Sequence, residues 1–313
     1  MNGYRPACRI QNPAYRHLVK LSLFRSQNMH QQTLSADLTI KGIGLHSGCD
    51  ATLVLHPAPE NHGIVFVRND LPDKPQIAAL YSNVVDTRNC TCLGDEHGNV
   101  VSTIEHLMAA LAVCGVDNAL IEVNNPEVPI MDGSALPFYE ALKSVGVVAQ
   151  NAPRKILKVL KTIRFDDGKG AIVELAPAPN FAVSFTIDFP SKIVGHQEFS
   201  APLTADVFAQ EIAPCRTFCE KYQVDYLRSL GLIKGGSLEN AIVLDGETIL
   251  NPDGFRKTDE CVKHKVIDAI GDAYTSGYLI KGALKASKSG HYHNNQILRA
   301  LFADKSNYQI VEE

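Results

Sequence analysis

Several large classes are excluded by what this chain lacks. No apolar run approaches the roughly 20 residues that a membrane-spanning helix needs, so no integral membrane segment is expected. Positive charge is not in excess: 34 acidic against 30 basic residues leave a net charge of −4. A nucleic-acid binder is usually basic, so no nucleic-acid partner is expected. A Walker phosphate loop is missing as well, because in GLIKGGS (231–237) the lysine precedes the glycine pair. The cysteines do not form a convincing structural zinc site. Cys90 and Cys92 stand one residue apart, where structural zinc pairs are usually separated by two to four. The eight cysteines instead read as reduced thiols, with Cys114 in a helix core.

Acidic residues are also absent from the start of the chain, the first being Asp37. The opening stretch carries Arg5, Arg9, Arg16, Lys20 and Arg25 but is short of serine for a transit peptide. Its apolar patch, Leu18–Phe24, is broken by Lys20, which speaks against a secretory signal. Residues 1–30 are expected to be a disordered or artefactual extension, with Met29 an alternative start to Met1.

At 313 residues, with 45% hydrophobic and 20% charged content, the chain suits two globular domains. An internal match supports that division. Residues 40–59 and 160–179 share eight identities at an offset of 120: Lys41/Lys161, Ile43/Ile163, Gly48/Gly168, Ala51/Ala171, Leu55/Leu175 and the Pro-Ala-Pro of 57–59 and 177–179. Each copy reads as two strands, a Pro-x-Pro turn and a third strand, Ile64–Val67 or Ala182–Ile187. The first half continues with a strand at Gln76–Ala79, a helix from Ser102, a strand at Ala119–Val123 and a helix from Ser134 to about Val145. In the second, helices are expected from Ala205, over Thr258–Tyr278 and over Asn294–Phe302. Strands and helices do not alternate strictly, which favours α+β over a doubly wound sheet. The expected architecture is two similar two-layer β/α sandwich domains, 31–150 and 155–306, joined near Gln150–Arg154, with the active site in the cleft between them. The stretch Cys219–Leu244 has no counterpart expected in the first half and reads as a flap or lid.

The chemistry centres on Thr258–Tyr278. Val262, Val266, Ile270 and Ala273 mark a buried stripe, and His264, Asp268 and Asp272 follow one another every four residues on another face. An imidazole and a carboxylate one turn apart can hold one metal ion; the same spacing also describes a solvated face with an i,i+4 ion pair. The helix from Ser102 carries Glu105 and His106. If the halves are related by two-fold symmetry, His106 joins His264 and Asp268 as a third ligand, and Glu105 stands ready to take a proton from water. Ser102-x-x-Glu105 equally has the spacing of a helix capping box.

Seven motifs occur together, in order: GIGLHSG (42–48), TIEHLMAAL (103–111), EVPIMDGSA (127–135), CRTF (215–218), GGS (235–237), VKHKVIDAIGD (262–272) and SGHYHNN (289–295). From about Leu34 to Phe302 the chain thereby resembles the UDP-3-O-acyl-N-acetylglucosamine deacetylases, the zinc amidases of lipid A synthesis. The resemblance implies one Zn2+ per chain, with Fe2+ as an alternative, held by His106, His264 and Asp268. It implies Glu105 as base, His291 as cationic acid or oxyanion partner, Asp272 as the carboxylate that orients His291, and Thr217 as a donor to the tetrahedral intermediate. Phe218, Lys265 and Gly236 are implied substrate contacts, and residues 219–244 the acyl-chain passage. A UDP-linked acyl glucosamine substrate, a cytoplasmic location and a monomer follow from the same resemblance. The chain departs from it at Cys261, at Tyr292-His293 beside His291, and in the polar run Lys221–Asp225.

Overall fold

The computed structural model describes residues 29–312. The expectation for residues 1–30 therefore lies, apart from its last two positions, outside the described residues. The α+β reading holds, because strands gather into separate sheets that helices cover.

The first half is built on five strands in the order Leu38–Ile43, Asp50–Pro57, Ala119–Val123, Ile64–Arg68 and Gln76–Ala78. Neighbours run antiparallel except Ala119–Val123 with Ile64–Arg68. The second half repeats order and sense with Ile163–Asp166, Ile172–Ala176, Ala283–Ser287, Ala182–Asp188 and His196–Pro202, where Ala283–Ser287 and Ala182–Asp188 are the parallel pair. Period-two burial explains the one-sided cores. Ala51, Leu53 and Leu55 turn inward in one sheet, and Ala171, Val173 and Leu175 take the same places in the other.

Two helices cover the first sheet, α1 (Glu105–Cys114) and α2 (Leu136–Val145). Leu107, Met108, Leu111, Phe138 and Leu142 meet Leu53, Leu55, Phe66 and Ile121 in one core. The helix α3 (Lys221–Ser229) connects the short parallel strands Phe218–Glu220 and Ile242–Asp245, and the second sheet is covered by α4 (Glu260–Tyr274) and α5 (His291–Ala303). There Val262, Val266, Ile270, Ile297 and Leu298 pack on Val173, Leu175, Val183 and Phe185. The helices α1 and α4 meet back to back across the seam. A Cβ added to Gly271 would lie 2.0 Å from the carbonyl oxygen of Glu105, so only glycine permits this approach.

Several expectations are corrected. The helix expected over Thr258–Tyr278 runs only over Glu260–Tyr274, because the Thr275 hydroxyl turns back to the Asp272 carbonyl and Gly277 adopts φ +80°. The capping box at Ser102 does not form: Thr103 sits at φ +61°, the Ser102 hydroxyl donates to the Pro126 carbonyl, and α1 starts at Glu105. Likewise α5 starts at His291 rather than Asn294. The helix from Ala205 is one short turn, Ala205–Val207, followed by a wider π turn over Phe208–Ile212. The segment Gln150–Arg154, where the joint is expected, is ordered. It continues the strand Val147–Pro153, and Arg154 donates to Asp117 and to the Gly115 carbonyl. Finally, residues 219–244 do have a positional counterpart. Both halves insert a three-stranded sheet before the long helix: Val84–Asp86, Cys92–Gly94 and Val100–Val101 in one, Phe218–Glu220, Ile242–Asp245 and Thr248–Ile249 in the other. The second version replaces an antiparallel hairpin with a parallel crossover through α3.

Candidate metal centre and active site

The polar stripe on α4 is not a solvated face. His264, Asp268 and Asp272 are each at most 3% exposed, as are Glu105 and His106 on α1. Because α1 and α4 touch at Gly271, residues 106 and 264 meet with ring centroids 4.9 Å apart and planes at 86°. Nε2 of His264 lies 3.4 Å and Nε2 of His106 lies 3.7 Å from Oδ1 of Asp268. Ligand atoms on a tetrahedral zinc with bonds of about 2.1 Å are about 3.4 Å apart, so the spacing fits one ion. Among the described residues this is the one cluster of three or more His, Cys, Asp or Glu ligand atoms converging closely enough to hold a metal.

The protonation states suit that purpose. Nδ1 of His264 is 3.1 Å from the Cys215 carbonyl, an acceptor, which leaves the Nε2 lone pair facing the cluster. Burial lowers the His264 pKa to about 3, against the pull of Asp268, so the ring is neutral. Burial alone would raise Asp268, but the Lys265 ammonium beside it outweighs that and, with the hydrogen bond from His106, holds the carboxyl well below its usual range. Lys265 aims its ammonium at Oδ2 of Asp268, and that carboxylate keeps it charged despite burial.

Two groups flank the cluster. Glu105 is not a capping acid: its Oε2 accepts the Thr91 N–H at 3.0 Å. Burial raises its pKa, opposed by His291 and His106. Nδ1 of His291 is 2.9 Å from Oδ2 of Asp272, which also accepts from Nδ2 of Asn294 at 2.9 Å. The other Asp272 oxygen accepts from the Thr91 hydroxyl at 2.5 Å. Burial would lower the His291 pKa, but Asp272 overcomes it and raises it to about 9, so the ring is an imidazolium at neutral pH.

All of this opens into a cavity of about 1190 Å³. Thr217 and Phe218 line it, with Thr217 fixed by its N–H to Gly133 and its carbonyl to Ile242, and Phe218 stacked edge-on against Phe189 at 5.2 Å. Gly236 lines it too, but the close approach belongs to its neighbour: a Cβ on Gly235 would lie 2.3 Å from the Gly44 carbonyl oxygen.

Sequence reasoning missed several supports. Thr91 was hidden between two cysteines that drew attention to their thiols, and it lies 181 positions from Asp272. Asn294 and Glu127 stood inside quoted motifs without a role. Glu127 is buried and accepts from the N–H groups of His46 and Ser47, both at 2.8 Å, holding the 44–48 loop against the cavity. Arg216, buried between Cys215 and Thr217, donates to Glu260 at 2.9 Å and Asp253 at 3.0 Å, which fastens that segment to the start of α4.

Three convergent ligands, a carboxylate beside them and a cationic histidine across from it make the arrangement used by metal-assisted hydrolases. Comparison with known proteins narrows the class. Residues 31–303 match the family model described as UDP-3-O-acyl N-acetylglycosamine deacetylase, and the chain belongs to that family. Curated proteins named UDP-3-O-acyl-N-acetylglucosamine deacetylase are similar over nearly their full length. The one from Shewanella violacea is 47% identical over 283 residues, 90% of this chain and 92% of its own. That from Myxococcus xanthus is 47% identical over 92% of this chain and 91% of its own, and that from Pasteurella multocida 46% identical over 90% and 92%.

Proposed function

We propose that this chain is a zinc-dependent deacetylase of lipid A biosynthesis. It hydrolyses the acetamide of UDP-3-O-[(3R)-3-hydroxyacyl]-N-acetylglucosamine to the free amine and acetate. The observation that carries the reading is the convergence of His106, His264 and Asp268, from two different helices, beside Glu105 and His291. Two imidazoles and a carboxylate are ordinary zinc ligands, and Fe2+ is the alternative they would accept. A bound zinc ion supplies a Lewis acid that polarises the amide carbonyl and acidifies water.

The protein's own groups divide the remaining work. Glu105, its basicity raised by burial, accepts the proton of the attacking water. Asp272 holds His291 as the imidazolium, which faces the developing oxyanion and gives its proton to the leaving amine. An amine cannot depart as an anion, so a separate acid is required. The Thr217 hydroxyl donates to the same oxyanion. Lys265, Phe218 and Gly236 contact the substrate, and the α3 region with Ile242–Asp245 forms the acyl-chain wall.

On this reading the site lies in the seam between two domains, 31–150 and 155–306, and one chain supplies every group, consistent with a monomer. Among the described residues no helix is long and apolar enough to cross a membrane. A nucleotide-linked substrate suits the cytoplasm, as do the cysteines among the described residues, which are unpaired. The test is acetate release from the UDP-linked substrate before and after chelation, with zinc or iron restored. Release that stops on chelation and returns with metal is expected; chelator-insensitive release, or none with restored metal, overturns the proposal.

A further inference from the structure

Helix α5 begins at the residue of which the proposed reaction asks most. His291 is its first residue and follows Gly290, whose backbone is extended at φ −148° and ψ −170°. Asp272 holds the imidazole at Nδ1, but the start of the helix decides where the Cα from which that ring hangs will stand. Helix starts leave backbone N–H groups without partners, and glycine has no side chain with which to cap them.

The partner comes from inside the first turn. The Gly290 N–H donates to Nδ1 of His293 at 3.2 Å. A ring nitrogen that accepts cannot carry the hydrogen, so neutral His293 bears its proton on Nε2. That nitrogen lies 3.2 Å from Oδ2 of Asp167, to which it donates. Asp167 is itself fixed in the turn between Ile163–Asp166 and Ile172–Ala176. Its Oδ1 accepts from the N–H groups of Lys169 at 2.7 Å and Ala171 at 3.0 Å. Phe165 of the same hairpin packs its ring 5.9 Å from Tyr292 and 6.1 Å from His293. A rigid β-turn on the second sheet thus reaches the first turn of α5 through one imidazole.

We infer that His293 and Asp167 are positioning residues for His291: the Gly290–His293–Asp167 chain of hydrogen bonds sets where the His291 ring stands against the cavity. The inference rests on the reading of His291 as the acid. Its chemistry is specific. The side chain at 293 must accept from a backbone N–H at one end and donate to a carboxylate at the other, within one helical turn. Neutral histidine does both; an apolar side chain does neither. Glutamine at the third helical position reaches back to the same N–H in a capping box and retains an N–H for Asp167.

The experiment compares His293→Leu, His293→Gln, Asp167→Asn and His291→Ala in metal-loaded enzyme, measuring kcat, KM and thermal midpoint. His293→Leu is expected to lower kcat about five- to tenfold with KM changed less than about twofold, since a displaced acid costs turnover rather than binding. His293→Gln is expected to recover most of that loss, and Asp167→Asn to lose about two- to threefold in kcat. Should His293→Leu fail to fold, Asp167→Asn and His293→Gln decide by the same readout, native kcat in the former overturning the inference. Native kcat in His293→Leu with an inactive His291→Ala overturns the inference alone. Equal losses in the Leu and Gln variants do so too, because a cap restored without effect means that the bond carries nothing. Full turnover by His291→Ala removes the underlying reading and the inference with it. Independently of activity, 15N NMR of the imidazoles, with His293 assigned by its absence in His293→Gln, is expected to show hydrogen on Nε2; hydrogen on Nδ1 overturns the inference.

Discussion

The two halves are built on separate sheets of the same strand order and part company in what they insert before their long helix. The first half places an antiparallel set of short strands there, Val84–Asp86, Cys92–Gly94 and Val100–Val101, which delivers Thr91 to both Glu105 and Asp272. The second half places the crossover through α3, and along that helix and its C-terminal cap Tyr222, Tyr226 and Leu230 recur every four residues with 56–70% of their surface exposed. One insert is polar at its working end and fastens the reacting groups; the other sets exposed apolar side chains among polar ones along the cavity. On the proposed reading, the same frame separates holding the chemistry from holding the substrate. Each role can be lost without the other, and that is where the comparison can be broken.

The largest effect is expected at the reacting groups. Glu105→Ala should retain metal and lose on the order of 10²–10⁴ in turnover, whereas His264→Ala or Asp268→Ala should lose metal on dialysis. Metal content by elemental analysis beside acetate release separates the two outcomes, and full activity in metal-replete Glu105→Ala would remove its role as base. Next comes the seam. Gly271→Ala gains helix propensity of about 1 kcal/mol, but its Cβ would stand 2.0 Å from the Glu105 carbonyl oxygen. Overpacking should win, with a net loss of about 1–3 kcal/mol and reduced metal retention, read by denaturant unfolding and dialysis. A variant as stable and as metal-rich as the parent would mean that the helices can part without consequence.

A third prediction sharpens the contribution of the first insert through pH. His291 is raised from its ordinary value to about 9, so its cation is fully present below pH 6.5 and is lost as pH rises through 9. The basic limb of kcat/KM should therefore fall near pH 9, and the stability that the Asp272 pair contributes should fade over the same window. Asp272→Asn should move that limb down towards ordinary histidine values and lower kcat about tenfold; an unmoved limb would assign it to another group. The smallest effect belongs to the second insert. Tyr226→Ser lies on an exposed face and lines the cavity, so stability should stay within about 0.5 kcal/mol while KM rises a few-fold for the acylated substrate. A loss confined to kcat would instead tie α3 to the chemistry.

The sequence made part of this legible for physical reasons. The period-four run on α4 and the offset of 120 between the halves are local or self-referring patterns, and the strands they imply are present. The capping-box spacing at Ser102 and Glu105 was legible too, and misleading. Thr103 at φ +61° turns the chain, and the Thr91 N–H, just ahead of the strand Cys92–Gly94, claims the carboxylate. Thr91 and the Cys215 carbonyl could not be read, since one acts across 181 positions and the other through a backbone atom that every residue type supplies. The counterpart sheets escaped notice because a short antiparallel pair and a crossover through a helix share no sequence period. His293 was visible as a departure, yet its meaning required the turn at Asp167, 126 positions away.

The division of the proposed metal ligands between α1 and α4 has a consequence for assembly. His106 is synthesised 268 − 106 = 162 residues before Asp268, and neither half alone offers more than two of the three ligand atoms. A nascent first half thus emerges without a trap for stray ions. On the proposed reading, an ion held by all three stabilises the state in which the two helices are docked at Gly271 over any in which the halves have come apart. Ion uptake should then report on completed folding, and an enzyme stripped of metal should lose the cooperativity that joins its two sheets before it loses either sheet.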